Sequence, residues 1–187
     1  MFLEVIWEDS PGLLKIAEWR NQVPASLRAH TETPIRMEHQ NAWVKRWTRS
    51  GDEYFFIKTF LQETIGYGGL DKICNINKTA ELSLLINPER HGEGFGKQAV
   101  RCLLTYAFEF MELNCVFIEV YRTTDAWIFW EKCGFIQEGD LKARKFWNGA
   151  YYDSVAACLL RNEYEQLKAF RNGCFEGRND GKEKMVD

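Results

Sequence analysis

The chain predicts a single domain of the α+β (mixed α/β) class, and three observations lead there. β-patterned runs crowd the first half, and a long helical stripe opens at Phe95. Two further β-patterned runs, joined by the turn signal Asn148-Gly149, close the patterned part. The third observation is size: 187 residues suit one compact unit plus a short extension. Composition removes the main alternatives. With 45% hydrophobic and 14% aromatic residues the chain is too apolar to stay disordered. Its longest unbroken apolar stretch, Val155 to Leu160, is far short of the roughly 18 residues a membrane span requires, so no membrane partner is expected.

Phe2 to Trp7 alternates and is rich in β-formers, which predicts a first strand. Ser10-Pro11 signals a helix start, and Leu13, Leu14, Ile16, Ala17 and Trp19 make that helix amphipathic. Pro24 and Pro34 punctuate a polar connection, after which Met37 to Trp47 is helical with Ala42, Trp43 and Trp47 spaced for one face. Glu53 to Phe60 and Thr64 to Ile73 are strands. In the second, Gly66, Gly68 and Gly69 point to a bulge or a close backbone approach. A turn at Asn75 to Lys78 leads to the strand Ala80 to Ile86, ended by Asn87-Pro88. Phe95, Ala99, Val100, Leu103, Leu104, Ala107, Phe108 and Met111 then fall on one helical stripe. Cys115 to Tyr121 is a short strand. Thr123 or Thr124 caps a second helix through Lys132, which Gly134 closes. Phe135 to Asp140 and Lys142 to Trp147 are strand-like, and Tyr151 to Leu160 returns. Beyond about Arg161 the chain turns polar and glycine-containing. Residues 1–165 therefore form the domain and 166–187 a loose polar tail.

Lys plus Arg number 24 against 27 Asp plus Glu, a net charge of −3, so no global field draws nucleic acid and none is expected as a partner. The cluster Lys142, Arg144 and Lys145 reads as a solvated face. Cysteines at 74, 102, 115, 133, 158 and 174 form no CxxC pair, so no metal site is expected and they read as small hydrophobes in a reducing compartment. Glu4, Glu8 and Asp9 interrupt any apolar leader, and the expected location is cytoplasmic.

Chemistry concentrates in Leu84 to Ala99, LLINPERHGEGFGKQA. A strand runs into a loop with Gly92, Gly94 and Gly96 that opens the best-patterned helix. Glycines there let backbone approach a ligand, and the free N–H groups at the positive helix end attract phosphate oxygens. Lys97 adds charge in the first turn. The spacing G-x-G-x-G is neither a P-loop nor a dinucleotide fingerprint. From this loop alone, a glycine-rich connection without a ligand remains an equal reading.

The same loop resembles motif A of the GNAT superfamily of N-acetyltransferases, R/Q-x-x-G-x-G/A, which holds the pyrophosphate of acetyl-coenzyme A (acetyl-CoA). Ala126 to Phe135 (AWIFWEKCGF) is similar to that family's A-x-x-x-Y-E-K-x-G-F segment. Glu138 to Leu160, and Glu18-Trp19-Arg20-Asn21 near the start, resemble the ribosomal-protein and spermidine acetyltransferase branch. The likeness spans nearly all of residues 1–165. It implies a GNAT-like fold: a central, mostly antiparallel sheet with a splayed parallel strand pair, flanked by helices. The splayed pair would be Ala80 to Ile86 and Cys115 to Tyr121. Backbone groups of Leu84, Leu85 and Ile86 would bond the pantetheine arm. The loop His91, Gly92, Glu93, Gly94, Phe95, Gly96 and Lys97 would hold the pyrophosphate.

The implied activity is acetyl-CoA-dependent transfer to a primary amine by direct attack on the thioester. Glu81 is the implied general base, with an ordinary solvent-facing strand carboxylate as the competing reading. His91 stands where the family has Arg or Gln, and Thr123 where it often has a cofactor-contacting Asn. Trp130 replaces the Tyr that often protonates the leaving thiolate, and an indole N–H cannot do so. Tyr121 is the substitute acid of choice, with Tyr151 and Tyr152 as others. The acceptor is left open among a protein N-terminus, a polyamine and an amino sugar. Glu32, Glu38, Asp52 and Glu53 either attract a cationic amine or are surface charge, and Trp43, Trp47 and Trp147 either wall the amine site or pack the core. The competing readings are a non-catalytic acetyl-CoA-binding or sensing domain and a module for a different phosphate ligand. The branch resembled often forms dimers, so a homodimer is an open expectation.

Overall fold

Alternation along the strands fixes the two faces of the sheet. Phe55, Leu70, Ala80 and Leu82 are buried on one face with Val100, Leu103 and Phe108, while Tyr54 and Phe56 are buried on the other with Leu13, Ile16 and Val44. The computed structural model describes residues 1–8, 10–23 and 34–176. In chain order the elements are β1 (Phe2–Val5), α1 (Leu13–Gln22), α2 (Met37–Ser50), β2 (Glu53–Lys58), β3 (Thr64–Cys74), β4 (Thr79–Ile86), α3 (Phe95–Thr105), β5 (Cys115–Tyr121), α4 (Ala126–Glu131), β6 (Ile136–Trp147), β7 (Ala150–Leu160) and α5 (Arg161–Glu176).

One seven-stranded sheet has the order β1-β2-β3-β4-β5-β7-β6. Every neighbouring pair is antiparallel except β4 and β5. Parallel neighbours need a crossover, and α3 supplies it across the face that its apolar stripe covers. The parallel ladder is short. Thr79, Ala80 and Glu81 pair with Cys115, Val116 and Phe117, whereas β4 continues to Ile86 and β5 to Tyr121 without further pairing to each other. The mixed sheet with a splayed parallel pair is thus present as expected. On the opposite face α1 and α2 cover β1 to β3. Gly69 permits that cover, because a Cβ there would stand 2.6 Å from Tyr54 Cδ1. The close approach read from the glycines of this strand is real.

Several elements differ from the sequence reading. The helix expected to Met111 ends at Thr105 and continues as a π turn, Tyr106–Phe110. The widened turn keeps Ala107 and Phe108 buried, and the Leu113 N–H then closes on Ala107 O at 3.0 Å. The two strands expected around Asp140 are one strand, β6, with a register shift between Leu141 and Lys145 and φ of 53° at Ala143. Ser10 is a turn residue rather than a helix cap: its Oγ accepts the Trp7 N–H at 2.9 Å. Asn148 and Gly149 adopt φ of 48° and 80°, the pair that a two-residue hairpin needs.

The tail needs a correction. The 165/166 boundary falls inside α5, so residues 166–176 are helical instead of loose. Tyr164 is buried and stacks on Phe108 with ring centroids 4.8 Å apart, and its hydroxyl donates to Glu109 at 2.6 Å. Leu167 packs on the same core, and Lys168 pairs with Glu109 at 2.6 Å. Residues 24–33 and 177–187, and with them Glu32, lie outside the described residues. Among the described residues no helix is long and apolar enough to cross a membrane, and no group of three or more His, Cys, Asp or Glu side chains is arranged to hold a metal ion.

Candidate active site

The splay opens a cleft of about 570 Å³ lined by Leu84, Leu85 and Ile86 of β4, the loop that follows, and Ala126, Phe129 and Trp130 of α4. Local sequence shapes the loop. Asn87 Oδ1 accepts the Glu89 N–H at 3.1 Å and starts a 3₁₀ turn, Pro88–Arg90. Gly92 and Gly94 then take φ of 86° and 82°, the left-handed region that side chains disfavour. Gly94 is the residue before α3, and no side chain caps that first turn among the described residues. Its N–H groups therefore face the cleft end at the positive pole of the helix. Lys97, Phe95 and Gly96 line this end too.

Of the expected cofactor residues, Leu84, Leu85, Ile86, His91, Gly92, Gly94, Phe95, Gly96, Lys97 and Trp130 share the lining of this cleft. Glu93 and Thr123 lie outside it, as does Tyr121. His91 ties the loop down: its Nε2 lies 3.0 Å from Ile86 O, a hydrogen bond in which the ring N–H donates. The guanidinium that the sequence comparison missed belongs to the residue before it. Arg90 lines the cleft, rests 4.8 Å above the Phe95 ring, and pairs with Glu93 (Nε to Oε1, 2.8 Å) and with Glu63. A cation displaced by one position from the motif was the available signal. Trp130 packs edge-on against Phe129 and Phe135, with centroids 5.1 and 5.4 Å away. Tyr121 lies at the end of β5 with Lys145 Nζ 5.7 Å over its ring. Burial, then Glu119 and Glu81, push its hydroxyl above the usual tyrosine range.

A second cleft, about 790 Å³, lies on the sheet face that α1 and α2 cover. Register builds its floor: Asp71 stands opposite Glu81, and Gly69 opposite Ser83, so Asp71, Glu81 and Ser83 project to one side. Glu81 sits on the last rung of the parallel ladder, immediately before the splay, and its Oε2 is 2.6 Å from Lys72 Nζ. Asp71 accepts from the Tyr54 hydroxyl and from Ser83 Oγ (3.0 Å). Burial raises its carboxyl pKa, and these two hydrogen bonds pull it back. Burial first, then the Asp71 charge, push the Tyr54 hydroxyl far above its ordinary value.

Trp43 forms the aromatic side of this cleft, edge-on to Tyr54 (4.6 Å) and Tyr67 (5.8 Å), with the Arg20 guanidinium 5.9 Å from its ring. Gln40 is fully buried. Its Oε1 accepts from Arg20 Nη1 at 3.3 Å, while its Nε2 has no partner among the described residues. Asp52 lines the cleft. Glu53 does not: it accepts the Tyr106 hydroxyl instead. Glu38 and Trp147 are absent from either lining, and Trp47 belongs to the core at 7% exposure. Tyr54, Asp71, Lys72 and Gln40 were not singled out from sequence, and Arg20 was read only as part of the branch resemblance. An aspartate inside an otherwise apolar, glycine-rich strand was the one visible signal.

One strand thus lines two clefts in succession, Glu81 and Ser83 the second and Leu84 to Ile86 the first. The first is apolar along its length, with helix N–H groups and two basic side chains at one end. A long thin ligand ending in phosphate fits it, and the arrangement is that of a coenzyme A-dependent acyltransferase. A model of the acetyltransferase (GNAT) domain matches residues 3–136, and the chain belongs to that family. It is an N-acetyltransferase whose co-substrate is acetyl-CoA. A spermidine N(1)-acetyltransferase of Vibrio cholerae serotype O1 is 29% identical over 128 residues, 68% of this chain and 74% of that one. A putative ribosomal N-acetyltransferase of Bacillus subtilis (strain 168), YdaF, is 35% identical over 109 residues, 55% of this chain and 57% of that one. Among solved structures, spermidine N-acetyltransferase from Vibrio cholerae in complex with CoA and spermine superposes with a TM-score of 0.77 at 24% identity, over 87% of this chain and 97% of that one, a likeness of fold.

Proposed function

We propose that the second cleft receives the acceptor, and that the acceptor is the free amine of a peptide or protein N-terminus. The observation behind this reading is the mixed lining. Asp52, Asp71 and Glu81 share it with Arg20, Arg46, Lys72 and Gln40, whose buried Nε2 has no partner among the described residues. A peptide N-terminus brings an ammonium to the carboxylates and carbonyl oxygens to the N–H donors. A bare polyamine brings no acceptor atom, and Gln40 Nε2 would stay unsatisfied at a cost of about 1–3 kcal/mol.

Acetyl-CoA supplies the activated acetyl thioester. The β4 edge at Leu84, Leu85 and Ile86 suits the pantetheine amides, and the N–H groups opening α3, with Lys97 and Arg90, suit the pyrophosphate. His91 shapes that loop through its bond to Ile86 O. Glu81, at the point where the strands diverge, takes a proton from the incoming ammonium so that the free amine can attack. Asp71, fixed by Tyr54 and Ser83, orients the amine beside it. No protein acid is assigned to the thiolate: Trp130 cannot give up its indole proton, and Tyr121 lies outside both clefts. A thiol pKa near 8.5 makes that departure tolerable. A cytoplasmic setting accords with the free thiols of Cys74, Cys102, Cys115, Cys133 and Cys158.

A polyamine acceptor is the second reading, favoured by the similarity to the Vibrio cholerae spermidine acetyltransferase. Thiol release from acetyl-CoA with short peptides, spermidine and an amino sugar separates the two. The proposal expects kcat/KM for a peptide amine to exceed that for spermidine. Turnover of spermidine alone would replace it with the second reading. Binding of acetyl-CoA without turnover of any amine would refute both.

A further inference from the structure

We propose that Lys72 is itself a substrate: the enzyme transfers an acetyl group from acetyl-CoA to Lys72 Nζ within the same chain. The inference rests on the reading of Glu81 as the base of the acceptor cleft, and it adds a modification site to that reading. Lys72 lies where β3 leaves its register with β4, between Asp71 and Cys74, with φ of 51°. Bulges of this kind re-aim a side chain, and here the lysine turns into the cleft lining. Its Nζ is 2.6 Å from Glu81 Oε2, the contact that an incoming ammonium must make to hand over its proton. The pair is unequally exposed, with the Lys72 side chain 66% exposed and that of Glu81 20%, so the lysine is the more open member.

Three other lysine ion pairs lie elsewhere. Lys58 pairs with Glu4, Lys142 with Asp153 and Lys168 with Glu109, and none of these carboxylates lines either cleft. Leu84, which opens the cofactor lining, is three residues beyond Glu81, about 10 Å along an extended strand. A flexible four-carbon stem covers part of that distance.

The step balances without a further reactant. The Lys72 ammonium gives a proton to Glu81, and the freed nitrogen lone pair forms the C–N bond to the acetyl carbonyl carbon. As the tetrahedral intermediate collapses, the nitrogen gives up its second proton to solvent, the C–S bond breaks, and CoA leaves as the thiolate that takes up a proton from Glu81 or solvent. The products are Nε-acetyl-lysine at position 72 and CoA. Modification removes the Lys72 charge and leaves Glu81 without its internal cation. The hydrogen bond that Lys72 donates to Glu81, with further help from Glu119 and Asp71, holds Lys72 protonated above the ordinary lysine range, against its partial desolvation. Arg20 and Arg46 from the covering helices line the same cleft. The self-acetylation is therefore slow at neutral pH and accelerates as pH rises.

The full chain, incubated with isotopically labelled acetyl-CoA in the absence of amine and mapped by peptide mass spectrometry, tests this. Lys72 should gain the label at least about tenfold faster than the exposed Lys45 and Lys78, with a half-time independent of protein concentration. In Glu81→Gln the labelling of Lys72 should slow by about tenfold or more. An unassisted surface lysine freed of its ion pair would instead react faster. Labelling of Lys72 at the rate of the other lysines, a half-time that shortens with concentration, or faster labelling in Glu81→Gln would each overturn the proposal. Peptide-amine turnover is measured in the same preparation. Turnover with Lys72 unlabelled rejects self-acetylation and leaves the acceptor reading standing, and absence of both rejects both.

Discussion

Tyr54→Phe removes one of the two donors that hold Asp71 and leaves every apolar contact of the ring in place. Tyr54 is buried at 6% exposure, and its hydroxyl donates to Asp71, whose other donor is Ser83 Oγ at 3.0 Å. A hydrogen bond to a charged group is worth about 1.5–3 kcal/mol. For a domain of this size each kcal/mol moves Tm by about 2–4 °C, so the variant should melt about 3–12 °C lower at pH 8. The pH dependence has a definite sign. Burial raises the Asp71 carboxyl pKa, and the Tyr54 bond lowers it, so deleting the donor lets it rise further. The penalty falls on the ionised carboxylate. As pH falls and Asp71 is protonated in both proteins, the difference shrinks. Thermal denaturation of both proteins at pH 8 and at pH 5 reads this directly. A gap below about 1 °C at pH 8, or one that does not shrink as pH is lowered until Asp71 is protonated, would refute the network as described.

Gly94→Ala tests the phosphate loop: no heavy atom lies within 4 Å of the added Cβ, so the cost is the backbone strain at φ of 82°, about 1–2 kcal/mol, with weaker acetyl-CoA binding seen by calorimetry. Trp130→Tyr puts an acidic hydroxyl beside the cofactor cleft, and kcat should rise by about tenfold with little change in the KM for amine; steady-state kinetics showing no rise would mean that proton supply to the thiolate is not limiting. Tyr164→Ala should cost about 3–5 kcal/mol in chemical denaturation, because the ring is buried on Phe108, whereas a loose tail would lose nothing.

The cofactor cleft was legible in the sequence because it is local. A strand, a glycine loop and the helix it opens are contiguous, and three glycine-spaced positions with a single apolar stripe announce them. Arg90 escaped for the same reason in reverse: one residue out of step with the motif, it lines the cleft resting on Phe95 and paired with Glu93 and with Glu63, a residue distant in sequence. The acceptor cleft was barely legible. Its floor exists because Asp71 is opposite Glu81 and Gly69 opposite Ser83, a register fixed by a turn and a bulge that composition does not display. Glu81 could be read from the strand it begins, but its partner Lys72 could not, since residue 72 turns into the cleft only where β3 leaves the ladder. The α5 error has a similar origin. Tyr164 and Leu167 are spaced for one helix face, yet in a polar run two apolar positions say little until Phe108 is seen beneath them.

The central claim is that two adjoining clefts divide the work, one holding acetyl-CoA and the other presenting an amine to Glu81. Glu81→Gln keeps the side-chain shape and a hydrogen-bond acceptor for Lys72 while removing the capacity to take a proton. Single-turnover acetyl transfer to a peptide amine, measured beside acetyl-CoA affinity, should show the rate falling by about 10²–10⁴ with the acetyl-CoA Kd unchanged, because Glu81 does not line the cofactor cleft. An unchanged rate, or a loss explained entirely by weaker acetyl-CoA binding, would contradict the account.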